Sequence, residues 1–404
     1  MHTLKNGLKV MYKYQEGVST TVQISFKVGS INEEDGQRGY SHLVEHLVFE
    51  GTEKRPDAQI ITSEIENLGG DFNAATSNET TTFYVKLLSK HLPKALEILS
   101  DIVRNSIFSE DKVKKEKKVV LEEIKMIDDN PRYYQWVFLE KHLFSGTPYS
   151  FPVYGLVEDV TNSTPEKLKA YFKKYYVPSN ATLTIVSSFS DELEVIKNVE
   201  EFFGGWAGKE VDEIICENPS NKEGEFTEFK SMQQEYVIRS CITPCIKDAD
   251  APVIELIEAI LGKPQSGLLV NEIRNKRGLA YDVSVSYEEF FNFGFFAINV
   301  GIDPKNESET VKAIDESIKM LQTISEEDLQ NAKNHIEGRT LLELEDNHRT
   351  AELLNFWAQV VGKDLSKEYI TKLMAVTLDD VKRVARTYLE KKQTIVYLKP
   401  QIKT

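Results

Sequence analysis

The chain is predicted to be an α+β protein of two related domains, each a mostly antiparallel sheet flanked by helices. Three observations carry this. Strand-like and helix-like patterns follow one another in the same order twice. The stretch Thr164-Pro165-Glu166-Lys167-Leu168-Lys169-Ala170-Tyr171-Phe172-Lys173-Lys174-Tyr175, followed by a strand, matches Thr377-Leu378-Asp379-Asp380-Val381-Lys382-Arg383-Val384-Ala385-Arg386-Thr387-Tyr388, followed by Ile395-Val396-Tyr397-Leu398. The offset is constant at 213 residues, too long for a solenoid period and right for a duplicated domain. Finally, 404 residues with 41% hydrophobic content exceed the usual size of one core. The weakly periodic stretch Gly204 to Glu225, with Gly204-Gly205 and Asn218-Pro219-Ser220, reads as the connection between them. The expected division is 1–205, a linker at 206–225, and 226–404.

In order, Leu4 to Val10 reads as a hairpin around Asn6-Gly7, a dipeptide suited to the positive φ angles of a type I′ turn. Thr21 to Val28 alternates with period 2 and stops at Gly29, before a polar loop. A helix is expected over 57–67, ending at Gly69-Gly70, then strands from Asp71 to Ser77 and from Thr80 to Leu88, rich in Thr, Phe, Tyr and Val. Asn73-Ala74-Ala75-Thr76, polar and following a diglycine, is the candidate sheet edge, and an edge strand can take an extended peptide as its next neighbour. Helices follow at 92–104 and 110–127, the second stopping before Asn130-Pro131. Helices at 133–144 and 164–176, a strand at 181–187 and a helix at 191–203 complete the first half. The second half repeats the order with a strand at 234–242, helices at 250–261 and 267–275, and strands at 280–287 and 293–300.

The chemistry concentrates in Ser41-His42-Leu43-Val44-Glu45-His46-Leu47, an H-x-x-E-H spacing inside a predicted helix. At 3.6 residues per turn His42 and His46 stack with Glu45 beside them, while Tyr40, Leu43, Val44 and Leu47 form the opposing apolar stripe. Imidazoles at i and i+4 can converge on one zinc at roughly 2.0 to 2.1 Å, leaving Glu45 to address a water. The inverted order points to the inverzincin class of metallopeptidase. In the charged helix, Glu116 and Glu123 lie two turns apart on a face with Val119 and Val120, where a carboxylate needs a partner. Glu122 and the nearby lysine-paired acids read as solvated. No H-x-x-E-H recurs in the second half, which offers Glu272 to Val283 instead; there Arg274, at a helix end, and Tyr281, in the next strand, can present a cation and a phenol to a carbonyl or oxyanion.

Composition narrows the partners. A net charge of -15 disfavours nucleic acid and anionic membranes and suits basic peptides if acid lines a cavity. Cys216, Cys241 and Cys245 lack finger or redox spacing and read as free thiols of a reducing compartment. The N-terminal stretch has neither a signal core nor a transit pattern, and no stretch reaches about 18 unbroken apolar residues, so a cytoplasmic chain without a membrane partner is expected.

Three marks coincide: H-L-V-E-H at 42–46, the helix E-K-K-V-V-L-E-E-I at 116–124, and R-N-K-R-G-L-A-Y at 274–281 in a duplicated second half. With them the whole chain resembles the pitrilysin and insulinase metallopeptidases, especially the short branch that includes mitochondrial processing peptidase and its bacterial homologues. The resemblance implies one Zn2+ per chain held by His42, His46 and Glu123, with Glu45 as general base and Glu116 supporting the site. It further implies that Arg274 and Tyr281 contact substrate or oxyanion, and that the strand of Asn73, Ala74, Ala75 and Thr76 receives the peptide backbone. Short-branch members are half of a clamshell and pair so that one subunit's second domain covers another's zinc, which makes a homodimer completed in trans the expected assembly. The activity implied is that of a zinc endopeptidase acting on short or unfolded peptides; the competing expectation is a noncatalytic subunit of a larger assembly.

Overall fold

The computed structural model describes residues 1–212, 216–220, 222–391 and 393–401. Strands β1 (His2–Thr3), β2 (Lys9–Tyr14), β3 (Ser19–Phe26), β4 (Asp71–Thr76), β5 (Thr81–Leu88) and β6 (Ala181–Ser187) form one sheet in the order β1-β2-β6-β3-β5-β4. A second sheet holds β7 (Gly224–Lys230), β8 (Glu235–Thr243), β9 (Ala280–Glu289), β10 (Gly294–Ile302) and β11 (Thr394–Pro400) in the order β7-β11-β8-β10-β9. Without β1 the two orders are the same strand for strand. Each sheet is antiparallel except for one parallel pair, β2 with β6 and β7 with β11, and these occupy equivalent places. The duplication predicted from the 213-residue offset is thus present in the topology. β7 begins inside the segment expected as a linker and runs beyond it; residues 213–215 and 221 of that segment lie outside the described residues.

By contact the chain forms two compact units that are not contiguous in sequence. The first comprises Met1–Lys125, Phe151–Ile215 and Leu342–Ser366; the second Met126–Ser150, Cys216–Leu341 and Lys367–Thr404. In the first, helices α1 (Tyr40–Phe49), α2 (Ala58–Glu66), α3 (Leu92–Asn105) and the first four turns of α4 (Glu110–Asp129) accompany the sheet. Val22, Ile24, Phe83, Val85, Leu183 and Ile185 point from one sheet face into the core shared with Leu43, Leu47, Leu96 and Leu99. The opposite face carries Gln23, Thr182 and Thr184, which a period-2 strand would leave to solvent, yet these are buried too. The helix Asn347–Val361 covers them. Asn355 donates from Nδ2 to Thr184 Oγ1 at 3.2 Å, Asn347 donates to the Ser19 carbonyl at 2.7 Å, and Ala351, Leu354 and Ala358 close on Met11 and Val186. These contacts meet part of the polarity of that face, while Gln23 Oε1 and Gln359 Nε2 are buried there without a hydrogen-bond partner among the described residues.

The second unit is built alike. Its core joins Val237, Leu256, Ile260, Leu269, Ile298 and Ile314. The helix Pro131–Leu143 packs on its sheet: Tyr134 Oη donates to Glu228 at 2.9 Å and the His142 ring stacks on Phe226 with centroids 4.0 Å apart. Among the described residues no helix is long and apolar enough to cross a membrane.

One expectation is corrected. The first hairpin forms, with His2 opposite Val10, but its turn is not type I′, because Gly7 alone has positive φ (90°) and Asn6 does not. The Asn6 amide is engaged elsewhere, donating to the carbonyls of Phe203 and Trp206 at 2.8 and 2.9 Å. The Gly7 N–H instead closes on the Leu4 carbonyl at 2.9 Å, so glycine follows the tight turn rather than forming its centre.

Candidate metal centre

Helix α1 buries Tyr40, Leu43, Val44 and Leu47 at no more than 1% exposure and leaves His42, Glu45 and His46 on its other face, as the spacing predicts. The imidazole centroids lie 4.7 Å apart. α4 sinks Val113, Glu116, Val120 and Ile124 into the packing and thereby turns Glu116 and Glu123 toward α1; Val119, expected on this face, is 38% exposed. Glu123 Oε2 stands 3.8 Å from His42 Nε2 and 3.7 Å from His46 Nε2. These are too long for hydrogen bonds. They approach the separation of about 3.4 Å between tetrahedral ligands that share an ion at roughly 2.0 to 2.1 Å. Among the described residues His42, His46 and Glu123 form a group of possible metal donors whose ligand atoms lie within 4.8 Å of one another.

Electrostatics favour the same reading. Burial, with His46 alongside, pushes His42 down to about 4, so its imidazole is neutral and has a lone pair to give. Burial also depresses His46, but the Glu116 hydrogen bond and the charges of Glu123 and Glu45 outweigh it and raise the group overall. His46 Nδ1 donates to Glu116 Oε2 at 3.1 Å, which fixes the ring and leaves Nε2 facing Glu123. Glu116, only 6% exposed, is held below the usual carboxylate range, first by that hydrogen bond. Two imidazole nitrogens and a carboxylate oxygen converging from two helices fit a divalent cation and suit zinc. Glu45 stands outside the donor set. Burial raises its carboxyl, against the Thr76 hydroxyl, which donates to Glu45 Oε2 at 2.6 Å.

The sequence reading missed that last contact, because nothing in Asn73-Ala74-Ala75-Thr76 says which side chain turns toward α1. β4 is the sheet edge, with Asn73 and Ala75 exposed and Asn73 Oδ1 accepting the Ala74 N–H at 2.9 Å. Arg274 and Tyr281 belong to the second unit and come together there, the guanidinium carbon 4.6 Å from the phenol centroid. Arg274 rides on a π-helical turn, Asn271–Lys276, and Tyr281 on the edge strand β9 at 80% exposure.

The second repeat shows what replaces the donors. At the 213-residue offset the burial pattern of the helix Ala251–Gly262 matches that of α1, placing Glu255 at His42, Glu258 at Glu45 and Ala259 at His46. The helix Glu326–Glu343 corresponds to α4. Lys117 Nζ donates to the carbonyls of Thr161 and Ser163, and Lys333 Nζ to those of Met374 and Val376. That correspondence puts Arg339 at Glu123 and Ala332 at Glu116. Arg339 Nη2 lies 3.5 Å from Glu255 Oε1. A guanidinium paired with a carboxylate stands where the first repeat gathers its donors.

A histidine pair and a distant carboxylate gathered on a duplicated α+β scaffold form a group that can hold a single metal ion, with Glu45 beside it. Comparison with known proteins agrees. Residues 9–155 match the family described as Insulinase (Peptidase family M16), and residues 162–336 that described as Peptidase M16 inactive domain. The chain is 27% identical to a Bacillus subtilis protein named uncharacterized zinc protease YmxG, over 99% of this chain and 98% of that one. It is also 27% identical to the mitochondrial-processing peptidase subunit beta of Dictyostelium discoideum, covering 96% and 85% respectively. The crystal structure of a protease from Helicobacter pylori has the same fold, with a TM-score of 0.92 at 24% identity over 99% of this chain and 98% of that one. The chain belongs to the M16, or insulinase, family of peptidases, with relatives in its mitochondrial-processing-peptidase-like branch.

Proposed function

We propose that this chain is a zinc-dependent endopeptidase that hydrolyses short or unfolded peptides. The observation that carries the reading is the shared focus of His42 Nε2 and His46 Nε2 on one oxygen of Glu123, with Glu45 left out of the set. Zinc bound there supplies Lewis acidity and brings the pKa of a water toward ~7. Glu45, its carboxyl poised upward by burial and oriented by Thr76, takes the water's proton and returns it to the leaving amine. Glu116 holds the His46 ring in the tautomer that presents Nε2. The free edge of β4, at Asn73 to Thr76, takes the peptide backbone as an added strand, and Arg274 with Tyr281 binds substrate or oxyanion. A net charge of -15 favours basic peptides. Cys241 and Cys245 are free thiols, which supports a cytoplasmic setting.

Glu45→Gln is the test: zinc stays bound while peptide hydrolysis collapses, and retained turnover would refute the base assignment. Zinc binding with no turnover of any peptide by the unsubstituted chain would instead make it a noncatalytic subunit. We further infer a homodimer completed in trans, since one chain carries both the donor set and the Arg274–Tyr281 pair. Mixing Glu45→Gln chains with Arg274→Ala chains then restores activity, and failure to do so overturns the trans arrangement.

A further inference from the structure

We propose that Glu33 and Lys112 are positioning residues that clamp the two ends of α1 and so hold His42 and His46 at the metal; this rests on the zinc reading above. At its N-terminus α1 cannot cap itself. The N-cap is Gly39, at φ 101°, and a Cβ there would meet the Tyr154 carbonyl at 2.8 Å and Val160 Cγ2 at 2.9 Å. No serine, threonine or aspartate fits. Glu33 does the work from six residues upstream: its Oε2 accepts the Gly39 N–H and its Oε1 the Ser41 N–H, both at 2.8 Å, with the side chain 4% exposed.

At the other end Lys112 Nζ donates to the Glu50 carbonyl, at the helix C-cap, and to the Pro56 carbonyl at 2.6 Å. The ammonium at the finish matches the helix dipole. Lys112 projects from α4, the helix that supplies Glu116 and Glu123, so its two bonds also set the spacing between the elements that must converge on one ion.

The second repeat serves as an internal control. Pro252 occupies the position of Gly39 and has no N–H to offer. The Ile254 N–H, the equivalent of that of Ser41, is taken by the Asp250 backbone carbonyl at 3.0 Å. Asp328 stands where Lys112 does and accepts from Ser325 instead. Lys117 and Lys333, by contrast, make the same two bonds in both repeats. What the fold requires is shared; the clamp accompanies only the copy with the donor set.

The test measures zinc affinity by chelator competition for Glu33→Gln, Lys112→Met and, as control, Lys333→Met, together with kcat and KM across a zinc titration. Glu33→Gln turns an NH2 toward one backbone N–H, and Lys112→Met removes both donors at the far end. Each is expected to weaken zinc binding about tenfold or more, the scale seen when groups that orient metal ligands are lost, with KM unchanged and kcat restored by added zinc. Lys333→Met is expected to leave zinc affinity unchanged while lowering thermal stability. Zinc binding as tight as the unsubstituted chain's, equal weakening by Lys333→Met, or a kcat that zinc does not restore overturns the clamp. If Glu33→Gln fails to fold by circular dichroism, Lys112→Met decides alone. An unsubstituted chain that binds no zinc overturns the metal reading itself, an outcome distinct from failure of the clamp.

Discussion

Glu116→Gln isolates the charge behind His46. Gln keeps the size of the side chain and an oxygen that can accept from His46 Nδ1, so the 3.1 Å contact survives as a neutral hydrogen bond. Hydrogen bonds to charged groups contribute roughly 1.5–3 kcal/mol and neutral ones roughly 0.5–1.5. The change therefore removes roughly 1–1.5 kcal/mol from the support of one ligand. If all of it reaches the ion, zinc affinity falls roughly five- to tenfold. Lys115, 3.4 Å from Glu116, keeps its 2.7 Å pair with Glu50, so no cation is stranded. The assay is competition with a chelator of known zinc affinity, run beside a far-ultraviolet spectrum and a melt. An affinity within twofold of the unsubstituted chain would refute the argument that this buried carboxylate tunes the ligand. Loss of zinc only where the melt also shows loss of fold would reduce Glu116 to a packing role.

Two further outcomes follow from charges elsewhere. Arg55 is 1% exposed and pairs with Glu64 at 2.9 Å, Glu97 at 2.7 Å and Asp101 at 2.7 Å; Arg55→Met leaves buried Asp101 without its paired cation, while Glu64 and Glu97 keep Lys94, and is expected to cost about 3 kcal/mol, read as a lowered urea midpoint. In the second unit burial pushes Glu140 and Glu258 up to about 7 and Glu289 up to about 8. Unfolded, such groups titrate near ~4.3. Between those values the folded chain holds more protons than the unfolded one, so this contribution is fully present below the unfolded pKa and is lost as pH rises through 7 to 8. Melts in chelator are expected to show a lower Tm at pH 8.5 than at pH 6, with a shallower slope in Glu289→Gln; an unchanged slope in that variant counts against the assignment.

The histidine pair was legible because metal chemistry restricts residue types and helix geometry restricts spacing; spacing alone left Glu116 and Glu123 both open as the distant carboxylate, and only the family resemblance pointed to Glu123, which the structure brings beside His42 and His46. The strands were legible where alternation is strong, as in β3 and β5. What escaped depended on tertiary partners. The Asn6 amide was drawn off by Phe203 and Trp206, which changed the turn without changing the hairpin. Residues 303–376 were left without assigned elements although four helices lie there, Glu307–Met320, Glu326–Glu343, Asn347–Val361 and Ser366–Ala375. Asn347–Val361 buries Asn347, Thr350, Asn355 and Gln359 against a polar sheet face, so its docking side does not look apolar. Thr76, Glu33 and Lys112 reach α1 from separate elements, and no spacing along the chain records that.

The helix Asn347–Val361 belongs by sequence to the second repeat and by packing to the first, while Pro131–Leu143 makes the reverse crossing. Translation therefore imposes an order on assembly. The sheet beside the histidines stays open on one side until residue 361 has left the ribosome, and most of the second repeat has been made by then. The nascent chain cannot be finished early, and its slowest steps are expected to be the closures that join segments more than 150 residues apart.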